Sequence, residues 1–262
     1  MPRGTYLHLE DGTEERFQCA PGPGGWRYVA SRTDGTRLDL VVDSRWRQIR
    51  VEIVTPDWWL RGGVTGHGIT WVRATSSGQA TEHSATAAGF LGDSPAFLIA
   101  TAHHLTSARA RPNPDPSDAT LASTKSQGSA PLGNAPHESR LASNEASFAE
   151  GQASTPLAPE AVDEEPSEAD ETRAFPEGRT ADLRLVRVTG VALATLTEAW
   201  RWRLASVTRH ETETGALPVE QYETTDLATG EVHSVHLAGD VVLDAPGIEL
   251  TELDTPPSFL TR

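Results

Sequence analysis

Asp93 and the adjacent histidines His103 and His104 are the side chains of this chain best suited to proton transfer. A carboxylate and an imidazole can act together as general acid and base in a hydrolase or an isomerase. The sequence holds nine histidines, so such pairs also arise without function, and surface or core histidines are the simpler interpretation. We therefore keep Asp93 with His103 or His104 as an alternative hypothesis and assign no catalytic residue.

Neither pair of closely spaced histidines is expected to bind a metal ion. His103 and His104 are adjacent, and His233 and His236 are separated by two residues. Strand side chains an odd number of positions apart point to opposite faces, so neither pair can converge on one ion. The glycine-rich run at 62–68 lacks the Lys-Ser/Thr of a phosphate-binding loop, and the chain has no GxSxG or HExxH motif. We expect no metal and no cofactor.

Tryptophans are the second group of residues that could form a site. The chain has seven, and strand alternation places Trp46, Trp71, Trp200 and Trp202 on the inner side or at the rim of a curved sheet. Aromatic side chains in such positions usually form core. A strongly curved sheet can instead enclose more space than its side chains fill, and the tryptophans would then line a cavity for an apolar ligand.

Alternating apolar and polar residues predict the strands that must position these groups. Leu38, Leu40 and Val42 recur at every second position after the turn signal Asp34-Gly35, which predicts a hairpin. In the next strand, Ile49 is expected on the inner face, together with the other apolar residues of that segment. The polar residues that alternate with them, Gln48 first, are expected on the outer face.

The same alternation recurs between residues 195 and 207 and near the end of the chain, where Pro246-Gly247 predicts a type II turn. No segment shows the capped apolar stripe of an amphipathic helix. About eight to eleven short strands result. The sequence therefore predicts a mainly β fold, built as a large curved antiparallel sheet or an incomplete barrel.

A long insertion is expected to interrupt this sheet. Half of the 18 prolines lie between Thr106 and Gly178, a segment without Trp, Tyr, Ile or Met. So little apolar surface cannot offset the entropy lost on ordering the backbone, roughly 1–2 kcal/mol per residue. We expect residues 106–178 to be disordered, and residues 1–105 and 179–262 to be the two parts of one β domain.

The charge balance excludes two classes of partner. The formal net charge is −15, of which −8 comes from the 13 acidic and 5 basic residues of the insertion. Nucleic acid and anionic membrane surfaces both require clustered basic residues, so neither is expected as a partner. The acidic insertion leaves open a third hypothesis, in which the protein is a scaffold that recruits another protein through this segment.

The sequence also bears on the compartment. The first residues are polar and no stretch approaches about 20 apolar residues, so we expect no signal peptide, no membrane insertion and a cytoplasmic location. Cys19 is the only cysteine, which excludes an internal disulfide and a CxxC site. A buried, inert thiol is the expected state of Cys19. The oligomeric state stays open.

The order of several weak motifs resembles a bacterial glycolipid-binding family of small β-rich proteins. The motifs are, in chain order, Asp43-Ser44-Arg45-Trp46, Gly66-His67-Gly68-Ile69-Thr70-Trp71, Gly89-Phe90-Leu91-Gly92-Asp93-Ser94-Pro95, Gln221-Tyr222-Glu223 and Val242-Leu243-Asp244-Ala245-Pro246-Gly247. Each motif is unspecific alone, and their order and fitted length carry the resemblance. It spans most of the chain outside the insertion.

The resemblance implies a curved sheet similar to lipoprotein-carrier folds and a cavity for an apolar small molecule. It implies no catalysis. Together with the tryptophans placed by strand alternation, it gives Trp46, Trp71, Trp200, Trp202 and Tyr222 as the residues expected to bind a lipid or glycolipid. The expected function is therefore a non-enzymatic lipid- or glycolipid-binding protein. The size of the cavity, and any clustered Asp and His within it, should distinguish this hypothesis from the enzyme.

Overall fold

The computed structural model describes residues 1–22, 24–66, 68–107, 178, 180–212 and 215–258, which form fifteen strands and one helix. The elements are β1 Arg3–His8, β2 Glu14–Gly22, β3 Gly25–Arg32, β4 Arg37–Asp43, β5 Gln48–Val54, β6 Trp58–Thr65, β7 Gly68–Thr75, β8 Ala80–Ala85, β9 Gly89–Leu91, α1 Pro95–Ser107, β10 Thr180–Thr189, β11 Ala194–Thr212, β12 Gly215–Asp226, β13 Val232–Ala238, β14 Val241–Ala245 and β15 Ile248–Leu253.

All fifteen strands belong to one sheet, in the order β8-β7-β6-β5-β4-β3-β2-β1-β15-β14-β13-β12-β11-β10-β9. Neighbours in the sheet are mostly neighbours in the chain, joined by short turns. The first and last strands, β1 and β15, pair with each other and so join the two parts of the chain. Every pairing is antiparallel except that of β9 with β10, so the predicted antiparallel sheet is confirmed with one parallel edge.

The sheet curves until β9, at one of its edges, lies against β5, although the two strands are not neighbours in the sheet. The contact is made by Gln48, whose carboxamide binds both backbone polar groups of Phe90. The two edges of the described sheet, β8 and β9, do not pair with each other. The predicted curved, incompletely closed sheet is therefore confirmed.

Strand alternation sets most of the buried face. Leu38, Leu40 and Val42 are all buried, as their spacing predicts. The expectation for β5 is wrong at its start, because the pairing of β4 with β5 shifts by one residue there. This bulge leaves Ile49 47% exposed and turns Gln48 inward, where it is only 3% exposed.

The helix α1 is the main departure from the predicted fold. Nine of its 13 residues are buried, so the helix is covered on most sides. Because it has no broad polar face, no amphipathic stripe marks it in the sequence. Its start does carry local signals: Ser94 accepts a hydrogen bond from the N–H of Ala96 at 3.4 Å, and Pro95 occupies the first helical position. The helix packs against β9 and β14 on the buried face of the sheet.

The predicted insertion falls almost entirely outside the described residues. Its first two residues, Thr106 and Ser107, belong to α1, and its last residue, Gly178, donates its N–H to the carbonyl of Leu204 at 2.8 Å. Residues 108–177, and with them the hypothesis of an acidic segment that recruits a partner, lie outside the described residues. In the described ranges, no helix is long and apolar enough to cross a membrane.

Cys19 is buried, as expected, at a polar contact with the turn between β13 and β14. Its thiol lies 3.5 Å from Oδ2 of Asp240, and the indole N–H of Trp26 donates to the same oxygen at 3.4 Å. Burial, followed by the charge of Asp240, raises the pKa of the Cys19 thiol far above its usual range. A thiol in this state is unreactive.

Candidate functional site

A cleft opens at the end of the sheet where β1, β3, β10, β12 and β14 finish. Antiparallel pairing brings the loops after these strands together, and the chain also passes from β9 to α1 at this end, through residues 92–94. The cleft has two chambers, which share the residues Asp11, Arg32, Gly92 and Asp93. We call them the apolar chamber and the polar chamber.

The apolar chamber has a volume of about 120 Å³. Its hydrophobic wall is contributed by β4, β5, α1, β10 and the loop after β10, through the side chains Leu38, Ile53, Phe97, Val188 and Leu193. Both parts of the chain, before and after residues 108–177, therefore build this chamber.

The polar chamber is larger, about 450 Å³. Its wall combines the rings of Trp200 and Trp202 with charged and polar side chains, among them Glu10, Arg187 and His233. The ring of Trp200 is 6.5 Å from that of His233, centroid to centroid. Strand alternation in β11 explains the placement of the two tryptophans, since Trp200 and Trp202 are both buried while Arg201 between them is exposed.

Asp93 lies where the two chambers meet, in the loop between β9 and α1. Its carboxyl is accessible from the cleft and makes no hydrogen bond or ion pair with any other described residue. Although Asp93 is exposed at the cleft, the surrounding protein withdraws water from its charged form and so raises its pKa above the ordinary value. The charges of Arg32, His8 and Arg187 oppose this shift without cancelling it.

A buried carboxylate, Glu15, connects the two chambers through hydrogen bonds. Its Oε2 lies 3.0 Å from Nε2 of His8, and its Oε1 accepts hydrogen bonds from the Tyr28 hydroxyl at 2.9 Å and the Ser94 hydroxyl at 2.6 Å. Glu15 lines the apolar chamber and His8 lines the polar chamber. Burial, with the charge of Glu15, raises the pKa of Tyr28 well above its usual value, so its hydroxyl remains a donor.

Arg32 is held at the junction of the chambers by ion pairs. Its Nη2 donates to Oδ2 of Asp11 and to Oγ1 of Thr13, each at 2.6 Å, and its Nε lies 3.5 Å from Oδ2 of Asp34. The guanidinium is thus paired with two carboxylates, although its Nε makes no hydrogen bond with a described residue.

Of the residues predicted to bind a ligand, the structure brings three together. Trp200 and Trp202 line the polar chamber, and Tyr222 packs behind Trp202 with the ring centroids 5.9 Å apart. Trp46 packs on His103 at 4.2 Å, and Trp71 packs on neighbouring rings in the core of the first part of the sheet. These last two do not line either chamber.

The alternative pairing of Asp93 with His103 or His104 is not supported by their positions. Both histidines lie in the second half of α1, about 12–14 Å along the helix from its start near Asp93 at 1.5 Å per residue. Nε2 of His103 donates to the carbonyl of Gly239 at 2.9 Å, and Nδ1 of His104 donates to that of Arg45 at 3.0 Å. The histidine that adjoins Asp93 at the cleft is His8.

Sequence reasoning missed His8, Glu15 and Arg32, which lie in three different strands or their ends. A signal for Glu15 existed, because it stands two positions before Phe17 and four before Cys19, both buried apolar residues of β2. A carboxylate on the inward face of a strand needs hydrogen-bond partners there, which marks it as part of a polar network. No comparable signal distinguishes Arg32 from the other arginines.

No protein-family model, curated protein or solved structure matches this chain.

Proposed function

We propose that the protein binds a small amphiphile, such as a lipid or glycolipid with a compact apolar group, and that it does so without catalysis. The observation that carries this proposal is the contact between an apolar chamber and a tryptophan-lined polar chamber through shared residues. An amphiphile would place its apolar group among Phe97, Ile53 and Leu193 and its head group beside Trp200.

The chamber volumes limit the size of the ligand. At about 450 Å³, the polar chamber lies within the roughly 300–1,000 Å³ typical of small-molecule pockets. At about 120 Å³, the apolar chamber is comparable to an engineered apolar cavity of roughly 150 Å³ that binds benzene. The apolar group is therefore a ring or a short alkyl chain, because a long acyl chain would not fit among these side chains.

Native mass spectrometry of the purified protein tests the proposal, since a bound amphiphile would appear as a discrete mass increment. Phenyl β-glucoside supplies a defined ligand whose ring matches the apolar chamber. Ala30 lines that chamber, so Ala30→Leu should fill it and abolish binding. Ala85→Leu, at a partly buried alanine elsewhere in the sheet, is the matched control and should keep binding. Equal binding by both variants would contradict the proposal.

An acid–base enzyme is the second candidate, and one observation favours it. Asp93 has a raised pKa beside the buried His8–Glu15 pair, and such groups at a cleft are candidates for proton transfer. Turnover of 4-nitrophenyl glucoside or 4-nitrophenyl butyrate, lost in Asp93→Asn but kept in Glu82→Gln, would support this candidate. If neither substrate is turned over across the pH range in which the Asp93 carboxyl loses its proton, the acid–base candidate is contradicted.

A further inference from the structure

The polar chamber contains two carboxylates without a partner in the described part of the chain. Asp93 and Glu10 both line it, and neither makes a hydrogen bond or an ion pair with another described residue. The other carboxylates of its wall are engaged. Asp226 accepts the N–H of Ala228 at 2.8 Å, and Glu231 lies 3.6 Å from Nε2 of His233.

The arginines of the chamber already have carboxylate partners. Arg32 contacts Asp11 at 2.6 Å, and Nη1 of Arg187 lies 3.8 Å from Oε2 of Glu198. The chamber wall carries the carboxylates Glu10, Asp11, Asp93, Asp226 and Glu231 against the guanidinium groups of Arg32 and Arg187, so its net charge is negative. An anionic group that entered would meet Asp93 and Glu10, while both arginines already share their charge with Asp11 and Glu198.

The tryptophan wall also contains a buried donor without a partner. Trp202 is 1% exposed, lines the polar chamber, and its indole N–H has no hydrogen-bond partner among the described residues. A buried donor of this kind is costly to leave unpaired. A hydroxyl group can both donate to a carboxylate and accept from an indole, whereas an ammonium group can only donate.

We infer that the polar chamber selects a head group that donates hydrogen bonds and carries no negative charge, with Asp93 and Glu10 as its acceptors. The inference rests on the proposed function, because it assumes that an amphiphile occupies the cleft. Sugar hydroxyls and an ammonium group share this donor chemistry. A sugar offers several hydroxyl donors to the two carboxylates, and the net negative charge of the chamber favours the ammonium.

Three ligands with the same ring and different head groups test the inference. They are phenyl β-glucoside, benzylamine and phenyl phosphate, titrated into the full-length protein and followed by tryptophan fluorescence. We expect phenyl phosphate to bind about tenfold or more weakly than the better of the other two. Whichever of the glucoside and the amine binds more tightly shows whether the chamber takes hydroxyl or ammonium donors.

Two variants assign the selectivity to the carboxylates. Asp93→Asn and Glu10→Gln should each reduce the disadvantage of phenyl phosphate, and the double variant should nearly remove it. Glu82→Gln, on the exposed edge strand β8, changes the net charge equally and should leave the selectivity unchanged. Near-ultraviolet circular dichroism of each variant confirms that the fold is retained.

The outcomes separate this inference from the proposed function. If none of the three ligands binds, the amphiphile proposal fails and takes the head-group inference with it. If phenyl phosphate binds as well as the glucoside and the amine, the ligand site stands but the inference about its head group is wrong. If Glu82→Gln reduces the disadvantage of phenyl phosphate as much as Asp93→Asn does, the inference about the head group is also wrong.

Discussion

The carboxamide of Gln48 binds the backbone of Phe90 in the way a neighbouring strand would. Oε1 of Gln48 accepts the N–H of Phe90 at 2.7 Å, and Nε2 donates to the carbonyl of Phe90 at 3.0 Å. Phe90 is the middle residue of β9, and β9 leads directly into the loop that carries Asp93. This side chain therefore anchors the edge strand that positions one wall of the cleft.

Replacing Gln48 by Leu should destabilise the fold by about 2–4 kcal/mol. Both bonds are buried, and each backbone group left without a partner costs roughly 1–3 kcal/mol. Leucine has a similar volume, so the loss reports the hydrogen bonds rather than a cavity. Urea denaturation measures the change, with the exposed Gln18→Leu as control. A Gln48→Leu variant as stable as Gln18→Leu would show that β9 does not depend on this contact.

The turn between β14 and β15 should not tolerate a β-branched residue. Gly247 follows Pro246 with φ of 76°, as the type II turn predicted from the sequence requires. No atom lies closer than 3.9 Å to a Cβ placed there, so the strain comes from the backbone alone. We expect Gly247→Val to cost about 1–3 kcal/mol in a denaturant melt. Gly24→Val, at a glycine with open space and no positive φ, should be close to neutral.

Asp93 should make stability depend on pH in a defined direction. Its pKa is higher in the folded protein than in the unfolded chain. Ionisation of the Asp93 carboxyl therefore lowers the free energy of unfolding. This cost is complete above the folded pKa and vanishes below the ordinary carboxyl pKa of about 3.9. Arg32, His8, Arg187 and Glu10 face the same carboxyl and remain in place in a variant.

We therefore expect Asp93→Asn to be more stable than the wild type near neutral pH, with the difference shrinking as the pH falls. Chemical denaturation at a series of pH values, without ligand, measures this difference. A variant that is less stable than the wild type near neutral pH would mean that the carboxylate of Asp93 stabilises the fold.

Tryptophans in the core and in the cleft should respond differently to truncation. Trp71 is packed against His83 and Phe90 inside the sheet, so Trp71→Ala should cost about 3–5 kcal/mol. Trp200 borders a chamber, so Trp200→Ala should cost less stability and should weaken the binding of phenyl β-glucoside. Equal losses of stability, with binding unchanged in Trp200→Ala, would show that Trp200 is ordinary core.

The strands could be predicted because alternation reports which face of a strand is buried, as with Leu38, Leu40 and Val42. The same rule failed at Ile49, because a bulge shifts the register and no local residue announces it. It also missed α1, because a helix buried on most sides has no polar face to create a period.

The site was only partly accessible from the sequence for a related reason. Trp200 and Trp202 could be selected because their spacing is local to one strand. His8, Glu15 and Arg32 lie on the consecutive strands β1, β2 and β3, but Asp93 joins them only through the curvature that brings β9 back over the sheet. Such contacts are set by register and closure, which short-range patterns do not encode.

The most direct test of the amphiphile proposal is the response of the tryptophan indole N–H signals in a nitrogen–proton correlation spectrum during titration with phenyl β-glucoside. We expect the signals of Trp200 and Trp202, assigned by single substitutions to Phe, to shift with a common saturable dependence on ligand concentration. The signals of Trp46 and Trp71, which lie away from both chambers, should stay in place. Shifts confined to Trp46 or Trp71, or no saturable shift at all, would contradict the claim that this cleft binds an amphiphile.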